Sequence, residues 1–465
     1  MGSLPRVYAT DEVQYYAWVR SIWKDYDVNF QNEYETFAQL NPQSGIERSL
    51  LQPNRIRPLT GLYGNIAPVG SAILWSPWFI ATDVSLRGLH LLGFATHIPA
   101  DGYSWPYQRA VCYASALYAF IGLLICRRLV RNWFDSFPAT LATIGIWLAT
   151  PLVYYMTIQM PFAHANGFFV TSCFIWFWWK TQQPQSHYRH WVLLGLSAGM
   201  LYMVREQLIL MLVLPAITMT TSVWQKWKAA DTTHYKLYAM QIGVCAAVCI
   251  AVLAPQFIAY WAVNGTPLPA REVSGKLNLC SPHAIDTLID YDPTPAGYCN
   301  VGVEPVSVPA WSRGALVWSP IIAFALIGIV IFAWTNPLIG GAMITAFAMQ
   351  VWINGAFGTT WHLSGAFGFR RFIECSPIFI VGLAALLSKL QARVPVHVLS
   401  VVIALFICWN MGLIANATLF NNETQLRRGL TWPNVWHWQL SLPERIWEKS
   451  MDLFDRCKLV KNSCS

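Results

Sequence analysis

The sequence predicts an all-α polytopic membrane protein, a bundle of about ten spans behind a large polar first segment. Three observations predict it. Hydrophobic residues are 55% of the 465 and charged residues only 12%, against roughly 25% charged in soluble globular chains. Mean hydropathy is +0.39, and apolar stretches recur at close to the roughly 20 residues that cross a hydrocarbon core. The chain also carries 24 Trp, 19 Tyr and 24 Phe, the rings that gather at bilayer interfaces. A soluble enzyme, a disordered chain, a coiled coil and a collagen are excluded on the same figures. The net charge, 31 − 23 = +8, is modest. Excess Lys and Arg in a membrane protein belong in cytoplasmic loops, so no nucleic-acid partner is expected. Eleven Cys without a CxxC cluster argue against a zinc module. The N-terminus has no apolar signal-peptide core.

Taken in order, residues 1–102 form the first outer region. A helix-like run, TDEVQYYAWVRSIW, opens with Asp11-Glu12. Ile66–Ala81 is apolar but short and carries two Pro; a crossing there would invert every later loop, so it reads as a helix lying at the membrane surface. Spans are expected at Arg109–Cys126, Phe137–Met156 and Ala163–Trp179. Trp191–Ser222 is too long for one span, about 48 Å against a core of about 30 Å, and it carries Arg205-Glu206 at its centre. Two legs turning at Arg205-Glu206 cover only about 21–24 Å each and leave the charged turn in a wet or protein-lined cavity. With this hairpin Arg127, Arg128, Arg131, Lys180, Arg189, Lys226, Lys228, Lys236, Lys389 and Arg393 all fall on the cytoplasmic side; with a single span Lys226, Lys228 and Lys236 fall outside. The positive-inside rule selects the hairpin. Leu237–Val263 follows, then the outer loop 264–313 with seven Pro, then spans at Ala315–Trp334, Pro337–Trp352, Phe372–Leu390 and Val396–Ile414. The chain thus divides into the outer loop 1–102, a transmembrane bundle 103–416 and an outer tail 417–465 whose Trp spacing suits an interfacial helix.

Several groups fall at the outer side. Asp11-Glu12 can serve as a general base over a membrane cavity; carboxylates at a helix N-terminus also serve simply as caps. Glu33 and Tyr15 are further cavity candidates from the same region. Arginine inside a membrane segment usually marks a site; adjacent helical residues do not face each other, so Arg205 is expected to seek a further anion, with Glu206 or a first-loop carboxylate as its partner at rest. Arg370-Arg371 stands at the outer start of a span, where two guanidiniums can grip a phosphate or snorkel to lipid headgroups, with Glu374 as their expected partner. His164 opens a span at the same height. Asp25–Asp27 and Asp290–Asp292 are Asp-Tyr-Asp triplets; solvated loop acids are favoured there over a metal site at Asp25 and Asp27. Cys280 and Cys299 share one outer loop and are a candidate disulfide.

TDEVQYYAWVRSIW, DYDVNFQNEY and the Pro-containing NIAPVGSAILWSPWF together resemble the first outer loop of the GT-C superfamily of membrane glycosyltransferases, nearest the branch of protein O-mannosyltransferases and lipid A aminoarabinose transferases with their bacterial relatives. GLSAGMLYMVREQLILMLVLP resembles that branch's short hairpin with a basic turn; GALVWSPI and AFGFRRFIECSPIFIVGLAALL resemble later spans. The resemblance covers most of residues 8–390. It implies transfer of a sugar from a polyprenyl-phosphate donor to a lipid, glycan or protein acceptor at the outer, periplasmic face of the cytoplasmic membrane. It implies Asp11, with Glu12 beside it, as catalytic base; Arg205, Arg370 and Arg371 as donor-phosphate ligands; and no metal or other cofactor. The family places a span before the acidic pair, so one further N-terminal span is expected upstream of residue 1. Where the aminoarabinose branch has Lys before the Pro of the surface helix, this chain has Ala67 before Pro68. The competing reading is a secondary transporter or lipid-carrier flippase, which would predict internal repeats that are not evident.

Overall fold

Prolines and buried charges, rather than helix propensity, set where the helices start and stop. The computed structural model describes residues 5–228, 232–270, 277, 279, 283–289, 314–357, 360–361, 363, 366–420 and 432–463, the side chains of 226, 232–235, 432 and 453–463 aside. The protein is all-α and polytopic, and no strand forms among the described residues. Six helices are long and apolar enough to cross a membrane: Trp105–Val130, Glu206–Gln225, Lys236–Asn264, Pro337–Gly355, Arg370–Leu390 and Val396–Leu419. Ser136–Leu148 and Ile321–Thr335 are apolar but shorter.

The first region folds as α1 (Thr10–Arg20), α2 (Gln31–Leu40), α3 (Ile46–Leu50) and α4 (Gly70–Leu91). On α1, Val13, Tyr16 and Ala17 are fully buried. Tyr16 meets Phe37 and Phe79 edge-on at 5.5 and 5.8 Å, the geometry aromatic quadrupoles favour. The helix expected at Ile66–Ala81 instead begins at Gly70 and runs to Leu91. Its extension is held by Asp83, which accepts from Tyr107 Oη (2.5 Å), Trp23 Nε1 (3.0 Å) and Lys24. The pairing removes the cost of burying that charge and seats α4 against α1 and α5.

The bundle consists of α5 (Trp105–Val130), α6 (Ser136–Leu148), α7 (Leu152–Thr157), α8 (Ala163–Thr181), α9 (Tyr188–Val204), α10 (Val213–Lys228), α11 (Thr232–Asn264), α12 (Asp286–Ile289), α13 (Ala315–Trp318), α14 (Ile321–Thr335), α15 (Pro337–Gly355), α16 (Ser376–Leu390) and α17 (Val396–Leu419). Two expected spans are broken. Phe137–Met156 splits at Pro151 into α6 and α7, and Ala315–Trp334 splits at Ser319-Pro320 into α13 and α14. In both, a proline that lacks an N–H and excludes helical geometry from its predecessor ends the preceding helix.

The hairpin forms. α9 stops at Val204, Arg205 is extended (φ −154°, ψ 116°), and a 3-10 turn over Glu206–Leu212 leads into α10. Trp191 at the start of α9 and Ser222 near the end of α10 line one cavity, so both legs return to the same end of the bundle. The turns α5/α6, α8/α9, α10/α11 and α16/α17 lie at that end and carry Arg127, Arg128, Arg131, Lys180, Arg189, Lys228, Lys236, Lys389 and Arg393. The tail helices, α18 (Trp432–Leu440) and α19 (Leu442–Ser463), follow α17; Gln439 Nε2 donates to Trp409 O (2.9 Å) and Arg445 Nη1 to Asn416 Oδ1 (2.8 Å), docking the tail on the last helix. Cys280, Cys299 and Asp290–Asp292 lie outside the described residues.

Candidate active site

Opposite the basic end, six stretches of chain converge on one cavity of about 180 Å³: the start of α1, residues 66–68, the start of α8, the Arg205 turn, Phe357 just after α15, and the Arg370–Arg371 turn. Each stretch is a helix terminus or a break. Such places leave backbone groups uncommitted and let polar side chains gather inside an apolar bundle.

Of the acidic pair, one residue enters the cavity. Asp11 lines it, and its Oδ2 accepts from Arg370 Nη2 at 3.1 Å. Its side chain is 48% exposed, whereas that of Arg370 is 20% exposed. Glu12, turned about 100° further around the helix, is 2% exposed. Its Oε2 accepts the backbone N–H groups of Tyr8 (2.7 Å) and Ala9 (2.9 Å). This is the reach-back half of a capping box, N3 carboxylate to N-cap N–H; Ala9, at the N-cap position, has no side-chain acceptor for the other half. Burial pushes its carboxyl up to about 7, against the pull of those two N–H groups. Glu12, expected beside Asp11 in the chemistry, is thus occupied in closing the helix.

Arg205 lies at the cavity floor. Its Nε is 3.3 Å from Glu374 Oε1, its Nη1 is 3.0 Å from His164 Nε2 and 2.7 Å from Nδ1, and His164 Nδ1 is 3.0 Å from the same Glu374 oxygen. With Nδ1–H donating to Glu374, Nε2 is the ring nitrogen left to accept from Arg205, and the approach of Nη1 to Nδ1 is a contact across the ring, not a hydrogen bond. Gln207, its amide oxygen turned toward the guanidinium, accepts from Arg205 Nε (3.1 Å) and Nη2. Glu374 is fully buried. It was expected to pair with Arg370-Arg371; instead it serves Arg205 and His164, because its side chain packs against Gly167, one turn along α8 from His164. Neither Glu206 nor a first-loop carboxylate is the resting anion of Arg205. Glu206 lines the cavity but accepts from Tyr260 Oη.

The arginine pair divides its contacts. Gly368 adopts φ +63°, left-handed geometry that suits glycine, and the turn that follows delivers both guanidiniums to the cavity. Arg370 reaches Asp11 and lies over the Phe162 ring at 4.7 Å. Arg371 donates Nη2 to Thr360 Oγ1 (3.0 Å) and lies over Phe357 at 4.5 Å. Its Nη1 is buried and meets no acceptor among the described residues, a donor available to an incoming anion. Tyr15 and His164 line the cavity. Glu33 does not: it is buried against Arg20 Nη1 at 2.8 Å, and burial pushes its carboxyl up to about 7 despite that partner. Asp25 accepts from Arg20 and Asn32, and Asp27 Oδ1 accepts from Ser21 Oγ (2.7 Å) and Asn29 N (3.0 Å). Sequence reasoning missed Phe162, Phe357 and Tyr260; nothing in their local patterns distinguishes them from core residues.

Behind residues 67–69 lies a second, apolar cavity of about 470 Å³ between α1, α4 and α11, with Val19, Ile73 and Ile258 among its walls. Trp18 joins the two chambers, donating Nε1 to Ala67 O at 2.8 Å.

No family model matches the chain, and no curated protein matches it. Among solved structures it is similar to the archaeal oligosaccharyltransferase AglB of Archaeoglobus fulgidus, in complex with an inhibitory peptide and a dolichol-phosphate (14% identity, TM-score 0.48, 91% of this chain and 52% of that chain). It is also similar to the A. fulgidus oligosaccharyltransferase in complex with Zn and sulfate (15%, TM-score 0.45, 91% and 49%). A third is ArnT of Cupriavidus metallidurans bound to undecaprenyl phosphate (13%, TM-score 0.39, 94% and 72%). The chain spans about half the length of the oligosaccharyltransferases it matches.

Proposed function

We propose that the chain is a glycosyltransferase that moves a sugar from a polyprenyl-phosphate donor to an acceptor hydroxyl or amine at the outer face of the cytoplasmic membrane. The observation that supports it is the meeting, in one cavity, of the Asp11 carboxylate with Arg205, Arg370 and Arg371, beside an apolar chamber. A lipid-linked donor brings a charged phosphate and a hydrocarbon tail to the same place, and this pair of chambers offers both environments.

In this reading Arg205 and Arg371 hold the donor phosphate, and Arg370 bridges it to Asp11. Asp11 takes the acceptor's proton as the acceptor oxygen or nitrogen attacks the anomeric carbon. The bond from that carbon to the phosphate oxygen breaks, and its electron pair leaves on the phosphate. The guanidiniums meet negative charge as it develops, where fixed donors act most strongly. A single displacement inverts the anomeric configuration. The cationic role falls to arginines, so the reaction as proposed needs no metal or other cofactor.

The test uses the full chain in proteoliposomes with a radiolabelled polyprenyl-phosphate sugar. Label should move from the lipid carrier to an acceptor and stay on the carrier in an Asp11→Asn variant. Movement of intact donor between leaflets without cleavage of the sugar–phosphate bond would point instead to a carrier flippase.

A further inference from the structure

The basic end of the bundle holds a cavity that the proposed chemistry does not use. It measures about 280 Å³ and sits where α8 gives way to α9 and where α10 and α11 approach, about 27 Å along α8 from His164. Its lining is polar: Gln182, Gln183, Ser186, Trp191, Tyr238 and Gln241 contribute. Trp191 is fully buried, with Tyr238 edge-on to its ring at 5.2 Å. Its indole N–H meets no acceptor among the described residues, and the Ser186 hydroxyl is likewise buried without a partner. Leaving a buried donor unanswered carries its full desolvation penalty, so a cavity built around one is a place for an acceptor.

The geometry points to the headgroup of an anionic, hydroxyl-bearing glycerophospholipid in this cavity. Trp191, Ser186 and Gln241 supply donors for phosphate oxygens. The side-chain amides of Gln182 and Gln183 donate to Trp178 O (3.4 Å) and Trp179 O (3.3 Å), which leaves their carbonyls to accept from headgroup hydroxyls. Lys180, Arg189 and Lys236 lie within two residues of Gln182, Trp191 and Leu237, so the field at this end is positive. The source is a lipid rather than a soluble phosphate because Leu237, part of the lining, is exposed, as is the neighbouring Met240. Apolar side chains at such a mouth suit acyl chains.

The test is native mass spectrometry of the full-length protein in neutral detergent, titrated with phosphatidylglycerol or phosphatidylcholine. Phosphatidylglycerol should be retained at one site and phosphatidylcholine should not displace it. Trp191→Phe keeps the ring and removes the N–H; it should weaken retention about tenfold, as loss of one hydrogen bond to a charged group does. Gln241→Leu, at a second position, should weaken it in the same direction. Both variants should bind polyprenyl phosphate like wild type. Equal retention of the two lipids, or wild-type retention in both variants, would overturn the assignment. So would a parallel loss of polyprenyl-phosphate binding, or displacement by equimolar glycerol 3-phosphate.

Discussion

His164 and Glu374, 210 positions apart in the chain, meet at 3.0 Å, and both touch Arg205. A buried carboxylate thereby fixes a cation at the floor of the cavity. Breaking such a pair is costly because the surviving charge has no partner. Glu374→Ala should therefore lower stability by about 3–5 kcal/mol, toward the lower end because Arg205 borders an open cavity. Chemical unfolding in detergent measures this. A loss below about 0.5 kcal/mol, typical of a surface substitution, would show that Arg205 does not depend on Glu374.

Asp11 makes one ion pair and is half exposed, so its amide should fold normally. Asp11→Asn is expected to abolish transfer with little change in melting temperature. The same change at the neighbouring position, Glu12→Gln, should leave transfer largely intact. Near wild-type turnover in a folded Asp11→Asn protein would remove Asp11 as the base.

Arg205→Ala removes a charge-assisted contact to the donor phosphate, worth roughly 1.5–3 kcal/mol, or about ten- to a hundredfold in affinity. Arg205→Lys keeps the charge but loses the planar fork and should fall between. Equilibrium binding of a polyprenyl-phosphate sugar reads this directly. Wild-type affinity in Arg205→Ala, accompanied by a lower melting temperature, would make the residue structural.

Burial raises the carboxyls of Glu12 and Glu33 in the folded protein to about 7, against roughly 4.3 for an exposed glutamate. Between those values the folded state binds more protons than the unfolded state, so stability falls as pH rises. The contribution is fully present below about pH 4.3 and lost as pH passes about 7. Melting temperature should decline from pH 5 to 7.5, and Glu12→Gln or Glu33→Gln should each flatten the slope. An unchanged slope in both variants would assign the proton uptake elsewhere.

The hairpin break was legible because a length argument and a charge-sidedness argument agreed on Arg205-Glu206. Asp11 and the arginine pair stand out in the sequence because charges are scarce in this chain, and the fold brings them to one cavity. Their partners do not stand out. Asp11 and Arg370 are 359 positions apart and His164 and Arg205 are 41 apart, and no local period carries such pairings. Glu374 follows the arginines closely in the chain, but its side chain lies against Gly167 and His164 of α8, a tertiary contact that local spacing does not carry. Glu12 differs from Asp11 in its surroundings: it is buried and its carboxylate accepts from the backbone N–H groups of Tyr8 and Ala9, a tertiary placement that sequence adjacency does not reveal. The breaks at Pro151 and Pro320 were visible as prolines, yet apolar length outweighed them in the reading of the spans.

Gly167 offers a test of positioning that leaves the cavity lining untouched. A Cβ there would stand 2.8 Å from Glu374 Cγ and 3.0 Å from its Oε1, closer than packed carbons tolerate. The carboxylate must then shift, and Arg205 and His164 with it. Gly167→Ala should weaken donor binding although residue 167 touches no part of the cavity. Glu374→Asp shortens the side chain by one methylene and makes room for the new methyl. The double variant should then bind donor better than Gly167→Ala alone, with a coupling of about 0.5–3 kcal/mol, as contacting residues show. Strict additivity of the two changes would mean that Glu374 does not hold Arg205 in its binding position.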